Sequence, residues 1–299
     1  MIDPDYILFA RVVEAGSLAG AARRLGVSAP LASRRLTRLE SRLGVALVHR
    51  TTRRMELTSH GSLFYADVAR IIAAAEEAEA RLTGASRRPA GPLRLTIPTS
   101  FGRLHIAPTL QPFLERHPDV VLTVDLNDAY TDMIAERFDL AVRITSEVGP
   151  DLHAVWLADS RRVLCASPAY LERHGVPETL ADLQHHELLA AEGQLPWRLA
   201  AAGREVLVAG QSAVRTNSSE VVRELALSGV GVALRSLWEV SGELGAGRLV
   251  RVLPSVEGSR EAGIFAVRPH APFVSAAVEA FTAHLRDLLQ PRPPWDELT

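Results

Sequence analysis

The chain has 299 residues, of which 47% are hydrophobic and 23% charged, and its formal net charge at pH 7 is −2. This composition is typical of a globular protein, and the length suits a small domain joined to a larger one. No apolar run approaches the roughly 20 residues that span a bilayer, and the start lacks a signal-peptide pattern, so membrane insertion and export are not expected. The single cysteine, Cys165, rules out an internal disulfide and is too few for a structural zinc site, which fits the cytoplasm.

The charge is distributed unevenly along the chain. Residues 1–60 contain ten arginines and five acidic residues, a formal charge of +5, so the remaining residues carry −7. This asymmetry is typical of a basic nucleic-acid-binding module joined to an acidic or neutral domain.

The stretch 17–54 predicts a helix-turn-helix. Small and apolar residues line one face of its first helix, Gly26 permits a tight turn, and Ser28 stands at the N-cap of a second helix. The outward face and flanks of that second helix hold Pro30, Ser33, Arg34, Thr37, Arg38 and Ser41. Arginine pairs with guanine edges or phosphate oxygens, and hydroxyls bond either target, so this face predicts contact with a DNA groove. The plainer interpretation is a solvated surface.

Two short segments after this helix, 46–50 and 54–58, predict a β-hairpin wing. Arg50, Arg53 and Arg54 lie at its tip and base, where they are placed to reach the phosphate backbone or the minor groove. The alternative for such a short basic loop is solvation without a partner.

A long helix is predicted from about Ser59 to Leu82. Apolar and small residues recur along it at heptad spacing, namely Phe64, Val68, Ile71, Ala75, Ala78 and Leu82. So thin a stripe requires a partner, and dimerisation fits the DNA interpretation because paired helix-turn-helix units bind paired half-sites. The alternative is that the helix packs on its own domain. A Gly-, Pro- and Ser-containing linker at 83–92 marks the boundary of the module.

From Leu93 onward, apolar runs alternate with helical segments. Strands are predicted at 93–97, 120–126 and 139–144, with helices through 104–114 and 132–137 between them. This order predicts a mostly parallel sheet covered on both faces.

A second set of elements begins near Arg162. It comprises strands at 162–167, 213–216 and 229–234 with helices at 168–174 and 218–227. Two similar halves predict two lobes with a cleft between them. Strands at 249–253 and 264–267 complete the domain, and a last helix at 275–289 is expected to cross back to the first lobe.

At this point the chain resembles the LysR-type transcriptional regulators over nearly its whole length. The resemblance is carried by residues 9–61, the long helix, and the segments TIPTSFG, HPDV, FDLAVRI, ASPAYLERHG and NSSEVVRELALSGVGVALRSLWEV. It implies an α/β protein with an N-terminal winged helix-turn-helix, a dimerising linker helix and a two-lobed effector-binding domain like that of periplasmic solute-binding proteins. The corresponding domain boundaries are 1–58, 59–91 and 92–299. Dimers or tetramers, a double-stranded DNA operator, a small-molecule effector and RNA polymerase are the implied partners, without a cofactor or a metal.

The resemblance also implies roles for individual residues of the first module. Pro30, Ser33, Arg34 and Arg35 match recognition-helix contacts, and Arg50 and Arg53 match the wing. With the residue pattern, the expected DNA contacts are Ser28, Pro30, Ser33, Arg34, Arg35, Thr37, Arg38, Arg50, Arg53 and Arg54. Ala29 stands where family members commonly have glutamine, so an altered operator preference is expected.

The effector is expected at the carboxyl ends of the strands. Thr99, Ser100 and Phe101 open a helix after the first strand, so backbone N–H groups and two hydroxyls are placed to receive a carboxylate, as the family resemblance also implies. Arg143 and Ile144 follow the third strand, where Arg143 pairs either with an anionic effector or with an acid of the chain itself.

Four residues of the second half complete the expected effector site. Asn217 and Ser218 open the later helix and act either on the effector or only as helix caps. Arg235 stands where relatives often have an apolar residue, and it either supplies charge to the pocket or faces solvent. Trp197 either lines the cleft or packs in the core.

An enzyme and a transport-type solute-binding protein are the competing interpretations. Cys165 lies in an apolar strand, Ser100 lacks a G-x-S-x-G context, and GVGVAL places Leu234 where a dinucleotide fingerprint needs its third glycine. His185, His186 and Glu187 are adjacent rather than at a zinc-binding helical spacing. The basic first module and the missing signal-peptide pattern disfavour a transport protein. The sequence therefore predicts a ligand-responsive transcription factor and no catalytic activity.

Overall fold

The computed structural model describes residues 2–50, 55–83, 88–129, 132–201, 203–259, 261–271 and 273–296, with all their side chains except those of residues 50, 55 and 76–83. The chain forms two compact units. The first comprises residues 1–93 with 117–122 and 272–280, and the second comprises residues 94–116, 123–271 and 281–299. Within the described residues, no helix has the length and apolar character needed to cross a membrane.

The first unit begins with three helices and a two-stranded wing. Its elements are α1 (Pro4–Ala15), α2 (Leu18–Leu25), α3 (Ala29–Leu43), β1 (Val48–Arg50), β2 (Met55–Leu57) and α4 (Ser59–Thr83). Gly16, Gly26 and Gly44 each end a helix in the left-handed conformation, at φ of 62°, 66° and 72°. The predicted helix-turn-helix, β-hairpin and long helix are therefore confirmed.

The second unit contains two lobes, each built on one sheet. The first lobe contributes β3 (Gly91–Ile97), α5 (Thr99–Phe101), which continues as a π-helix (Gly102–Ile106) and a 3₁₀-helix (Ala107–Thr109), α6 (Leu110–Arg116), β4 (Val120–Leu126), β5 (Leu140–Thr145) and β6 (Leu152–Asp159). The second lobe contributes β7 (Arg162–Ala166), α7 (Pro168–His174), a 3₁₀-helix (Leu180–His185), β8 (Leu188–Leu189), β9 (Trp197–Ala201), β10 (Arg204–Val208), α8 (Ser219–Leu227), β11 (Val232–Ser236), α9 (Leu237–Gly245), β12 (Val250–Arg251) and β13 (Glu257–Gly258). The chain ends with β14 (Gly263–Pro269), α10 (Ala276–Leu289) and a 3₁₀-helix (Pro294–Asp296).

Both sheets are mixed, so the prediction of a mostly parallel sheet is wrong. The strand order of the first lobe is β4-β3-β5-β14-β6, and that of the second is β10-β9-β13-β7-β11-β8. β3 pairs with β5, and β8 with β11, in parallel, whereas β14 pairs antiparallel with both β5 and β6, and β7 pairs antiparallel with β11. A short apolar run is compatible with a buried strand that pairs either parallel or antiparallel with its neighbours. The residues of β14 therefore do not indicate which strands it joins or in which direction.

Two predicted elements of the second unit are absent. The segment 213–216 is not a strand, because the backbone N–H of Ala213 donates to Glu187 Oε1 at 2.6 Å and the hydroxyl of Ser212 donates to the carbonyl of Val214. The segment 132–137 is a set of turns, in which the non-glycine residue Arg137 has a positive φ of 58°. Side-chain hydrogen bonds thus replace the predicted strand, and turns with one left-handed residue replace the predicted helix.

The last helix packs on the first lobe, as predicted. The Phe281 ring of α10 meets the Phe113 ring of α6 edge to face, with centroids 5.0 Å apart. Trp238 of α9 and Trp295 of the C-terminal 3₁₀-helix surround Phe101, with ring centroids 5.3 and 6.1 Å from it. This aromatic cluster joins α5 of the first lobe to α9 of the second.

Candidate functional site

The N-terminus of α3 is fixed by local hydrogen bonds. The hydroxyl of Ser28 accepts from the backbone N–H of Leu31 at 3.4 Å, and Pro30 lies in the first turn, where its missing N–H removes no helical bond. Ser28 is therefore a helix cap whose side chain is also exposed. Ala32, Leu36 and Leu39 are fully buried beneath it, which directs Arg34, Thr37 and Arg38 outward.

Asp5 of α1 anchors two arginines of α3. Its Oδ1 accepts from Arg35 Nε at 2.6 Å, and its Oδ2 accepts from Arg38 Nε at 3.2 Å and from Arg38 Nη2 at 2.6 Å. Burial acts to raise the pKa of the Asp5 carboxyl, but the hydrogen bonds from Arg38 and Arg35 outweigh it, and the pKa lies below its ordinary value. The carboxylate is thus ionised and buried, with 2% of the residue exposed.

Arg35 and Arg38 differ in how much of each side chain remains accessible to a ligand. The Arg35 side chain, a predicted DNA contact, is 21% exposed, and its Nε forms an intramolecular ion pair with Asp5. The Arg38 side chain is 71% exposed and binds Asp5 with one edge of its guanidinium, which leaves Nη1 at the surface. Arg34 is exposed and forms no ion pair with any residue that the structure describes.

The hydroxyls on this face are already engaged in part. Thr37 Oγ1 donates to the carbonyl oxygen of Ser33 at 3.0 Å. Ser33 is half-buried, whereas Ser28, Pro30, Arg34, Thr37, Arg38 and Ser41 are exposed.

The wing is attached to α3 and α4 by specific contacts. Glu40 Oε1 accepts from the backbone N–H groups of Leu47 and Val48 at 2.9 and 3.3 Å, which ties the first wing strand to the end of α3. A Cβ atom at Gly61 would stand 1.9 Å from the Leu47 carbonyl oxygen, so only glycine allows α4 to approach the wing this closely. Arg50 pairs with Met55 in the hairpin. Arg53 and Arg54 lie outside the described residues.

The predicted dimerisation stripe of α4 is wrong in its first half. The Phe64 ring lies 5.2 Å from Tyr6 and 5.5 Å from Phe9 of α1, within the core of the same unit, and Val68 is fully buried. Phe64 and Val68 pack in the core of their own domain, because α1 covers the first turns of α4. Ile71 is 48% exposed and Ala75 is partly exposed, whereas the side chains of residues 78 and 82 lie outside the described set.

A cavity of about 180 Å³ lies at the carboxyl ends of β3, β4 and β5. Asn127, Asp128, Arg143, Thr145 and Glu147 supply its polar lining. Its other lining residues are Pro98, Ala129, Met133, Ile144, Val148, Gly149, Leu152 and Val267. A cavity of roughly 150 Å³ holds benzene, so this one is large enough for a small organic molecule. Arg143 already interacts with another group of the chain.

The start of α5 is occupied by the chain itself. The backbone N–H of Thr99 donates to Asp128 Oδ1 at 2.8 Å, so an acid of the protein fills the place where an effector carboxylate was expected. Ser100 is 5% exposed. Phe101 is fully buried in the aromatic cluster, and the prediction that it lines the effector site is wrong, because Trp238 and Trp295 pack against its ring.

The lobes of the second unit meet near α8. Ser218 caps this helix by accepting from the Val221 N–H at 3.4 Å, whereas the neighbouring Asn217 is exposed. Arg103 of the π-helix pairs with Glu220 in the first turn of α8, with the two atoms 2.5 Å apart. This ion pair joins the first lobe to the second.

Trp197 and Arg235 belong to the core of the second lobe. Trp197 is 1% exposed and packs among Leu164, Leu199 and neighbouring apolar residues, so it does not line a cleft. Arg235 neither faces solvent nor enters the pocket, because its Nε and Nη2 donate to Glu239 Oε2 at 2.9 and 2.5 Å. The two side chains are 4% and 0% exposed.

Glu239 is buried beside Arg235 and within the electrostatic influence of Arg162. Burial, aided by the charge of Arg235, lowers the pKa of Arg162 to about 10, and burial raises the pKa of Glu239. Cys165 lies in the same region, where burial raises the pKa of its thiol to about 12, so it is a small core residue rather than a nucleophile.

Sequence reasoning missed Asp5, Asp128 and Glu239. The signal for Asp5 was an acidic residue in the first turn of a helix that precedes an arginine-rich helix. Arg235 lies in strand β11 and Glu239 in the following helix α9, so no helical spacing marked the two residues as partners. No local signal marked Asp128 as the partner of a backbone N–H 29 residues away.

Comparisons with known proteins give consistent matches to both units. Residues 5–62 match a family model described as bacterial regulatory helix-turn-helix protein, lysR family, and residues 86–290 match the LysR substrate binding domain. The chain is 34% identical to the HTH-type transcriptional regulator DmlR of Escherichia coli K12, over 94% of this chain and 92% of DmlR. It is 34% identical to the HTH-type transcriptional regulator PtxR of Pseudomonas aeruginosa, over 95% of this chain and 92% of PtxR. The solved structure of CrgA, a LysR-type transcriptional regulator from Neisseria meningitidis, aligns with a TM-score of 0.62 and 28% identity, over 97% and 99% of the two chains.

A winged helix-turn-helix followed by a two-lobed α/β unit defines a transcriptional regulator that joins a DNA-binding domain to a substrate-binding domain. The family models and the relatives make the assignment specific. The chain belongs to the LysR family of bacterial transcriptional regulators.

Proposed function

We propose that operator binding by this regulator is modulated by a small organic or aromatic acid that binds between the two lobes. The observation that carries the proposal is the cavity at the strand ends of the first lobe, which we propose to be the first-lobe part of the effector site and whose lining includes Arg143 and apolar residues such as Met133 and Val148. A cation next to an apolar wall suits a molecule with a carboxylate and a hydrocarbon body. We place the function in the cytoplasm, because the partner is DNA, and we propose no catalytic activity.

The proposed mechanism is a shift of the two lobes on effector binding. The Arg103–Glu220 ion pair and the aromatic cluster around Phe101 are the contacts that such a shift would alter. The effector must bind one arrangement of the lobes more tightly than the other, since a ligand of equal affinity shifts nothing. A changed arrangement would alter the spacing of two DNA-binding domains on paired half-sites, and with it the recruitment or exclusion of RNA polymerase.

We further propose the division 1–58, 59–91 and 92–299 and dimerisation through the later turns of α4. Phe64 and Val68 are not part of this interface, whereas Ile71 is 48% exposed. Exposed apolar residues on a long helix support association with a second copy.

Replacing Arg143 with methionine is expected to weaken effector binding by about 10- to 100-fold, since a hydrogen bond to a charged group contributes roughly 1.5–3 kcal/mol. The measurement is a thermal-shift screen of dicarboxylates, hydroxy acids and substituted benzoates, followed by titration of each acid that raises the unfolding temperature. Arg198→Met, on an exposed residue of β9, is the matched control and should leave the titration unchanged. Equal affinity of Arg143→Met and the parent for the selected acid would place the effector elsewhere.

Replacing Arg53 with alanine is expected to weaken binding to all DNA sequences about equally and to flatten the salt dependence by about one unit of logarithmic slope, because the wing is proposed to contact phosphates. The test is the dissociation constant for specific and scrambled duplexes across a series of salt concentrations. A change confined to the specific duplex would instead assign Arg53 a base contact.

A further inference from the structure

Asp5 is placed to control how the arginines of α3 meet DNA. Its carboxylate accepts three N–H hydrogen bonds from Arg35 and Arg38 across sequence separations of 30 and 33 residues. The residue is 2% exposed and lies in the first turn of α1, so the anchor is a fixed part of the domain rather than a surface ion pair.

The hydrogen bonds determine which edge of Arg38 reaches the surface. Nε and Nη2 face Asp5, while the side chain as a whole is 71% exposed. A guanidinium held along one edge keeps its orientation, and the remaining Nη1 can donate to a phosphate oxygen. Held in this way, Arg38 does not extend freely toward base edges.

Arg34 is in the opposite situation. It lies one turn before Arg38 on the exposed face of α3 and forms no ion pair within the described part of the chain. Its guanidinium is therefore free to adopt the extended, two-pronged arrangement that reads guanine.

We propose that Asp5 is a positioning residue of the DNA interface. It restricts Arg38 to the phosphodiester backbone, withholds Arg35 from DNA, and leaves Arg34 as the arginine of α3 that reads bases. The inference rests on the proposed use of α3 in operator binding. Asp5, Arg35 and Arg38 together carry one positive charge, so removing the anchor adds an unrestrained charge to the interface.

Asp5→Asn is expected to lower sequence discrimination rather than overall affinity. Without the Asp5 carboxylate, Arg35 is no longer held away from DNA and can pair with a phosphate of any sequence, so binding to a scrambled duplex should tighten severalfold and its logarithmic salt slope should steepen by about 0.9. Affinity for the selected duplex should change little, so the ratio of the two dissociation constants, scrambled over selected duplex, should fall severalfold. The selected duplex is the one that the full-length parent enriches from a random-sequence library.

Glu14→Gln is the matched control. Glu14 also lies on α1 and pairs with Arg11 and Arg24, at 2.7 and 3.9 Å, rather than with α3. The Glu14→Gln variant also loses one negative charge. Its ratio of dissociation constants, scrambled over selected duplex, should stay within about twofold of that of the parent.

Arg38→Lys tests the same inference with Asp5 and Arg35 still paired. Lysine keeps the charge but cannot present one edge to Asp5 and another to phosphate, so discrimination should again fall. All ratios are measured at a temperature where circular dichroism shows each variant folded, which separates positioning from stability. An unchanged ratio in both Asp5→Asn and Arg38→Lys would overturn the proposal, whereas a parent that enriches no duplex would instead contradict the proposed function.

Discussion

Replacing Arg34 with alanine is expected to lower operator affinity by about 10- to 100-fold and to relax the preferred sequence at one or two positions, since a good arginine–base contact contributes roughly 1–3 kcal/mol of discrimination. Arg34 is exposed on the face of α3 opposite buried Ala32 and Leu36, and it makes no ion pair within the described residues. Its removal is therefore expected to change the stability of the domain little and to weaken the affinity for DNA strongly. The measurement is selection from a random duplex library, followed by titration of the enriched sequences.

Arg42→Ala provides the contrast on the same helix. Arg42 lies in the last turn of α3, pairs with Asp3 at 2.6 Å, and stands over the Tyr6 ring with its Cζ 5.5 Å from the centroid. Loss of its charge should weaken binding to every sequence alike. If Arg34→Ala selected the same sequences as the parent, the proposed orientation of α3 in the groove would be wrong.

Replacing Arg235 with alanine is expected to destabilise the second unit by about 3 kcal/mol, since breaking a buried ion pair leaves an uncompensated charge and costs roughly 3–5 kcal/mol. Glu239 would then be buried without its partner, and its Oε1 already lacks a hydrogen-bond partner among the described residues. Burial raises the pKa of Glu239, so protonation relieves part of the cost, which is why the lower end of the range is expected. Chemical denaturation followed by circular dichroism measures the change.

The double variant Arg235→Met with Glu239→Leu separates this effect from effector binding. Apolar residues of similar volume remove both charges at once, so most of the lost stability should return. If Arg235→Ala instead kept the stability of the parent and lost only its response to an effector, Arg235 would belong to the pocket after all.

The first unit was predictable because its signals are local. Ser28, Gly26 and the apolar spacing of α3 act within a few residues of one another, and the same holds for the glycines that end each helix. Thr58 is a further example, since its hydroxyl accepts from the Gly61 N–H at 2.9 Å and so begins α4 where the sequence places it.

The candidate sites were less predictable because burial depends on distant partners. Phe101 and Trp197 stand at positions that suit a cleft, yet Phe101 packs against Trp238 and Trp295, and Trp197 lies in a core cluster that includes Leu164. Arg35 has the type and spacing of a DNA contact, and only the approach of Asp5, 30 residues earlier, turns it inward. The direction of β14 likewise depends on a pairing with β5 more than a hundred residues before it.

Operator binding is tested most directly by a fluorescence-anisotropy titration of the purified full-length protein with the DNA that flanks its own gene and with a duplex enriched from a random library. It is performed at two salt concentrations and against scrambled competitor. We expect saturable binding to at least one of these duplexes that survives the competitor and weakens steeply as salt rises. Indifference to both duplexes, even at low salt, would contradict operator binding.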